Sequence, residues 1–182
     1  PVSSTDDRSE EETQKSSDFN GTGTDCTNID CGVAVTVYTS CNPFISTTQV
    51  VPKCLTLGMG CRKDKDARGI AEAAQKVLDR SEFHKEAFEQ IASIDLKKEE
   101  KGILSLSQDW QIPFVTYTEE ELKQVPGEFT PSPFVKKITG VDNVCERSAV
   151  LASGNGRLLQ RKTGENGVTT AVAAREWRIH FE

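Results

Sequence analysis

The chain has 182 residues, of which 36% are apolar and 27% charged, with a formal net charge of −6 at neutral pH. That length accommodates one ordinary core plus extra segments and falls short of two full enzyme domains. Lys and Arg are interleaved with acids instead of clustered, which excludes a general nucleic-acid binder, and no run approaches the roughly 18 consecutive apolar residues that span a bilayer.

Residues Pro1 to Asp30 carry Asp6, Asp7, Glu10, Glu11, Glu12 and Asp18 among Ser, Thr and Gly. Such a segment buries too little surface to offset its ordering entropy, so it is expected to be a disordered acidic linker. It has neither the basic start nor the apolar run of a secretory signal, and a cytoplasmic location is expected. Pro1 stands where Met would open a complete chain, which leaves room for a preceding region. The cysteines, Cys26, Cys31, Cys41, Cys54, Cys61 and Cys145, match no paired zinc spacing. Free thiols are expected, and no metal site.

Gly32 to Tyr38 reads as a strand by its β-branched content and stops at Asn42-Pro43. Residues 31–52 are assigned either to a leading strand or to the remnant of a preceding region, and the domain proper to 53–182. Cys54 to Gly60 predicts a buried strand running into a tight glycine loop. Ile70, Ala73, Ala74, Val77 and Leu78 recur at the spacing of one apolar helix face. Phe83, Ala87, Phe88 and Ile91 repeat that spacing and predict a shorter helix, followed by a strand over Ile91–Asp95. A helix over Lys98–Asp109 and a strand over Ile112–Thr116 come next.

Thr118 and Glu121 form a capping box opening a helix through Val125. Ser132-Pro133 starts another that Gly140 ends, and Asp142 or Asn143 caps a last one running to Gly154. Arg157–Lys162 and Val168–Ala173, joined through Asn166-Gly167, predict a hairpin. Strand–helix alternation makes neighbouring strands parallel. The expected fold is a three-layer α/β/α arrangement around a mixed, mostly parallel sheet of about five strands with a closing antiparallel hairpin.

Gly58-Met59-Gly60-Cys61-Arg62-Lys63 is the first group able to carry chemistry. A strand-to-helix turn of this kind offers backbone N–H groups and cations to a carboxylate or phosphate. It fits neither the dinucleotide fingerprint nor the phosphate loop. Cys61 is weighed as a thiol of lowered pKa beside two cations, although neither His84 nor His180 forms a recognisable pair with it. Asp95-Leu96-Lys97-Lys98-Glu99-Glu100 follows the second strand, at the sheet edge where open α/β folds bind ligands.

Gly58 to Lys63, the set Ile94, Asp95, Lys97 and Glu100, then Gly102-Ile103-Leu104, Pro131-Ser132, the set Val144, Glu146 and Ala149, and Lys162 with Val168-Thr169 and Ala171–Ala173 occur in an order that resembles one family. It is the carboxy-terminal domain of the cobalamin-biosynthesis CbiG proteins, with the related stand-alone CobE proteins. The resemblance covers about two thirds of the chain and implies a role in building the corrin ring. In that role a hydrolase opens the δ-lactone of cobalt-precorrin-5A and releases acetaldehyde.

The implied ligand is a cobalt-precorrin tetrapyrrole with acetate and propionate arms. It carries the cobalt itself, so no cofactor is implied. By the same resemblance Gly58, Gly60, Cys61, Arg62, Lys63, Lys97, Ser132 and Lys162 are the substrate-binding residues, with Arg62 and Lys63 as carboxylate clamps. Asp95 and Glu146 are the acid–base candidates. Full family chains carry further amino-terminal regions, so a non-catalytic module that holds the tetrapyrrole for other corrin-pathway enzymes is the alternative, and an unrelated anion-sensing domain a third reading.

Overall fold

The structure, a computed structural model, describes residues 30–178. The acidic segment therefore lies outside the described residues apart from Asp30, as do Cys26 and His180. The domain is built on a five-stranded sheet of order β5-β4-β3-β7-β6. Its members are β3 (Leu55–Cys61), β4 (Phe88–Ile94), β5 (Phe114–Tyr117), β6 (Arg157–Glu165) and β7 (Val168–Ala174). The first three run parallel, and the β6–β7 hairpin adds antiparallel pairs against β3.

Leu55 through Met59 are all buried, as a central strand covered on both faces requires. One face of the sheet, through Leu55, Leu57 and Met59, meets Ile70, Ala74 and Val77 of α1 (Ala67–Ser81) and Ile103 and Leu106 of α2 (Lys101–Trp110). α5 (Val144–Ala152) covers the other face, where Ala149 and Val150 pack with Ala173. α3 (Glu119–Gln124) and α4 (Pro133–Thr139) lie between β5 and α5 in the chain.

Local signals account for the helix ends. The Thr118–Glu121 capping box is closed in both directions. Of the two cap candidates before α5, Asn143 takes the role, accepting from the Glu146 N–H at 2.8 Å, while Asp142 pairs with Arg147. Ser132 occupies the cap position of α4 without a side-chain cap bond. Asn166 and Gly167 both have positive φ, 50° and 80°, the conformation of a tight hairpin turn.

Two expectations are corrected. The helix over Phe83–Ile91 does not form. After α1 the chain reverses at Glu82 and makes one 3-10 turn over Lys85–Ala87 before entering β4 at Phe88. Phe83 and Phe88 satisfy a helical spacing, yet both are buried as neighbours in an aromatic cluster, with ring centroids 6.1 Å apart, and pairing of β4 with β3 overrides the local pattern. The predicted glycine loop is also absent. Gly58 and Gly60 lie inside β3, and the chain turns only at Asp64, whose φ is 56°.

Residues before the domain form a separate two-stranded sheet in which β1 (Cys31–Val35) pairs parallel with β2 (Ser46–Val50), a strand not foreseen. It is moored to the core where Tyr38 stacks on Phe83 at 5.2 Å and Gln49 Oε1 meets the His84 ring at 2.7 Å.

A Cβ built on Gly58 would fall 1.8 Å from the Cys145 carbonyl oxygen of α5. Backbone cannot yield as a side chain does, so Gly58→Ala is expected to destabilise the domain by about 3 kcal/mol or more in denaturant unfolding. A loss below about 1 kcal/mol would show that α5 can lift from the sheet at little cost.

Candidate functional site

The carboxyl ends of β3 and β4, the tip of the β6–β7 hairpin, α4 and the first turn of α5 enclose a cleft of about 950 Å³. Gly60, Cys61, Arg62, Lys63, Lys97, Ser132 and Lys162 all line it, so the fold gathers seven of the proposed ligand-binding positions from four separate stretches of chain. Gly58 does not. It lies beneath α5, where its missing side chain admits the helix backbone. Gly60 contributes bare strand backbone, since a Cβ there would meet Thr169 Oγ1 at 2.8 Å.

The lining carries four cations, Arg62, Lys63, Lys97 and Lys162, and four acids, Asp64, Glu99, Glu100 and Glu165. The Arg62 N–H donates to the Gly167 carbonyl at 2.9 Å, and the Arg62 side chain crosses Gly167 so closely that a Cβ there would fall 2.9 Å from its Cδ. The turn at Asp64 leaves both Arg62 and Lys63 exposed. Among the described residues Arg62, Lys63 and Lys162 have no carboxylate partner.

Lys97 differs. Its ammonium pairs with Glu100 at 3.0 Å in a pocket where the two side chains are 14% and 8% exposed, and the same carboxylate accepts from the Lys65 N–H. The charge of Lys97 is thus largely spent within the protein. Glu165, also in the lining, is held by Lys76 and Arg80, and the Lys76 hydrogen bond above all lowers its pKa.

Cys61 is not the activated thiol weighed from the sequence. It ends a strand instead of opening a helix, and burial pushes its pKa up to about 11 against the opposing charge of Lys97. Cys145, also in the lining, is driven by burial to about 12.

Neither acid–base candidate lines the cleft. Asp95 sits in the short 3-10 turn between two residues that do, Ile94 and Leu96. Glu146 is wholly buried, and its carboxylate accepts from the Thr130 N–H at 2.8 Å, the Thr130 hydroxyl at 2.8 Å and the Lys162 N–H at 2.6 Å. With Asn143 Nδ2 donating to the Thr130 carbonyl at 2.9 Å, this ties the chain leading into α4 and the strand bearing Lys162 to α5. The arrangement positions two walls of the cleft.

Phe134 and Ile138 on α4, and Leu96 after β4, also line the cleft and were not singled out from the sequence. The i, i+4 spacing of Phe134 and Ile138 was the available signal on α4, and nothing comparable marked Leu96. Among the described residues no group of three or more His, Cys, Asp or Glu is disposed to hold a metal ion, and no helix is long and apolar enough to cross a membrane.

Residues 55–173 match the family described as "Cobalamin synthesis G C-terminus". The chain belongs to that family. It is 35% identical over 124 residues to the cobalt-precorrin-5A hydrolase of Salmonella typhimurium, a match that takes in 68% of this chain and 35% of the relative. With the cobalt-precorrin-5A hydrolase of Priestia megaterium identity is 34% over 122 residues, covering 67% of this chain and 32% of that protein. The chain therefore spans about a third of the length of these hydrolases. The crystal structure of CobE, a protein from the cobalamin (vitamin B12) biosynthetic pathway, superposes with a TM-score of 0.62 at 28% identity, over 68% of this chain and 92% of that one.

Removing the Glu146 carboxylate leaves three donors without an acceptor in a buried place. Glu146→Ala is expected to cost about 3 kcal/mol or more in equilibrium unfolding. A neutral outcome would mean that water replaces the carboxylate. Cys61, protonated until well above neutral pH, is expected to react with iodoacetamide at pH ~8 far more slowly than exposed Cys31, as read by peptide mass mapping. Equal rates would contradict the burial that raises its pKa.

Proposed function

We propose that this domain binds a carboxylate-bearing tetrapyrrole intermediate of cobalamin synthesis and serves as the substrate-binding part of a cobalt-precorrin-5A hydrolase. The observation that carries the reading is that Arg62, Lys63 and Lys162, which have no carboxylate partner among the described residues, all line one cleft large enough for a sizeable organic ligand. Cations left uncompensated beside a concave surface favour an anionic guest, and carboxylate arms suit Arg in particular because its planar fork can make paired hydrogen bonds.

Lactone opening needs a water made nucleophilic and a proton for the departing alkoxide oxygen. Release of acetaldehyde then needs a base to take the proton of the freed hydroxyl as the C–C bond breaks, its electron pair passing to the ring carbon. Glu146 accepts three hydrogen bonds and faces no open space, so its part in this proposal is to hold Thr130 and the Lys162 backbone in place. Of the two acid–base candidates, Asp95, half-buried in the turn between the lining residues Ile94 and Leu96, is the one beside the cleft, and the proposal gives it that role. The remaining groups would come from the parts of the hydrolase that this chain does not span. Cobalt enters as part of the substrate, and a cytoplasmic location belongs to the same proposal.

A second reading, a module that holds the intermediate for other corrin-pathway enzymes without cleaving it, is favoured by one observation. The fold covers 92% of CobE, a protein that consists of little else.

Incubating the purified chain with cobalt-precorrin-5A and assaying acetaldehyde separates the two. Release supports hydrolysis by this chain; tight binding without release supports the module. In either case Arg62→Ala with Lys63→Ala is expected to weaken binding of the cobalt-precorrin roughly 10- to 100-fold in a spectroscopic titration. Unchanged affinity would remove the clamp assignment.

A further inference from the structure

Exposed apolar side chains scattered singly are ordinary, whereas several gathered in one concave surface mark a binding site. Leu96, Phe134 and Ile138 are 67%, 69% and 59% exposed, and all three line the cleft that carries the cations. Phe134 and Ile138 stand one helical turn apart on α4, so their side chains share a face. α4 has no fully buried residue, and it is anchored to the core through Val135, which packs with Ile94, Leu122, Val141 and Val144.

These exposures do not come from a loose helix. Its entry is fixed: the Ser132 N–H donates to the Asp142 carbonyl at 2.9 Å, and Thr130 is held by both Glu146 and Asn143. Its exit is fixed by Gly140 in the left-handed conformation, φ 73°, and by the Thr139 hydroxyl donating to the Val135 carbonyl at 2.9 Å. The chain is thus anchored so that Phe134 and Ile138 face open cleft instead of the core.

The cleft lining offers two kinds of contact. Arg62, Lys63 and Lys162, which have no carboxylate partner among the described residues, can take carboxylates, and Phe134, Ile138 and Leu96 add exposed apolar side chains to the same lining. A simple carboxylate or phosphate would use only the first kind. A purely apolar ligand would leave the cations uncompensated. An occupant that uses both has a broad apolar body and a carboxylated rim.

Building on the function proposed above, we infer that Phe134, Ile138 and Leu96 form the surface against which the face of a tetrapyrrole ring lies, while Arg62, Lys63 and Lys162 hold its carboxylate arms. Ring selectivity and charge selectivity then reside in different residues. The α4 face distinguishes a macrocycle from an acyclic polyacid, and the cations distinguish a carboxylated macrocycle from one without arms.

The test uses the full chain and two probes. One is uroporphyrin III, a tetrapyrrole bearing acetate and propionate arms, followed by the shift of its Soret band. The other is tricarballylate, an acyclic polycarboxylate, followed by titration calorimetry. Phe134→Ser with Ile138→Ser replaces side chains already in water, so the fold is expected to survive, with an unchanged unfolding midpoint as the control.

That pair of substitutions is expected to weaken uroporphyrin binding roughly tenfold or more while leaving tricarballylate unaffected. Arg62→Ala with Lys63→Ala is expected to weaken both. Uroporphyrin affinity unchanged by the α4 substitutions, with the cation variant still impaired, overturns the ring surface and leaves the proposed function standing. Equal losses for both probes in the α4 variant also overturn it, because that pattern is distortion of the cation site. A native chain that binds no uroporphyrin removes the tetrapyrrole reading itself, and the ring surface with it.

Discussion

The contact on which the domain depends is the one between Gly58 in the middle of β3 and the Cys145 carbonyl in the first turn of α5. Helices ordinarily rest on a sheet through side chains, and here one turn of helix backbone reaches strand backbone directly, with the Ala149 methyl alongside. The glycine costs about 0.5–1 kcal/mol of strand stability relative to alanine. In return α5 sits low enough to touch β3, β4 and β7 together, and its first turn reaches the sheet edge where the cleft opens. Were α5 held farther out, Asn143 and Glu146 would be out of reach of Thr130 and Lys162.

Glu146 extends that contact sideways. An isolated carboxylate in a protein interior is strongly disfavoured, and it becomes tolerable when every strong acceptor position meets a donor. Thr130 and the Lys162 N–H meet that demand, and among the described residues no buried side-chain nitrogen or oxygen lacks a partner. A well-packed apolar residue could hold α5 as firmly, but it could not dictate where two separate loops lie. Arg147 acts similarly toward α3, bonding Asp142 and the Leu122 and Val125 carbonyls while stacking over Phe129. Successive residues of one helix thus hold different neighbours, Glu146 the Thr130 and Lys162 segments and Arg147 the end of α3.

What was legible in the sequence follows from how local each cause is. The Thr118 capping box, the Asn166-Gly167 turn and the apolar stripe of α1 involve residues within a few positions of one another, and each forms as read. Phe83 to Ile91 carries a helical spacing that the chain does not use, because strand pairing with β3 and aromatic packing against Tyr38 and Trp110 involve residues far away in sequence. β2 was missed for the reverse reason: Ser46–Val50 is polar and half-exposed, and only its pairing with β1 makes it a strand. At the cleft, the ordered family motifs located the cations. They did not reveal that Lys97 is neutralised by Glu100, that Glu146 is enclosed, or that burial raises the Cys61 pKa, since burial is a property of the assembled fold.

The position of β7 in the sheet bears on how such a chain reaches its native state. β7 is the last strand in chain order, yet it lies between β3 and β6, pairing along its whole length with a strand more than a hundred residues earlier. Until it inserts, β3 has one open edge and the hairpin tip that holds Arg62 in place does not exist. Contacts so distant in sequence form slowly because they must close long loops first. On a ribosome, α1, α2 and the parallel strands can assemble while the hairpin is still unmade, and the half-built sheet must keep its edge unpaired until then. Because β3 and the β6–β7 hairpin both line the cleft, it is complete only once β7 has inserted, and a ligand that touches both reports that the sheet has closed.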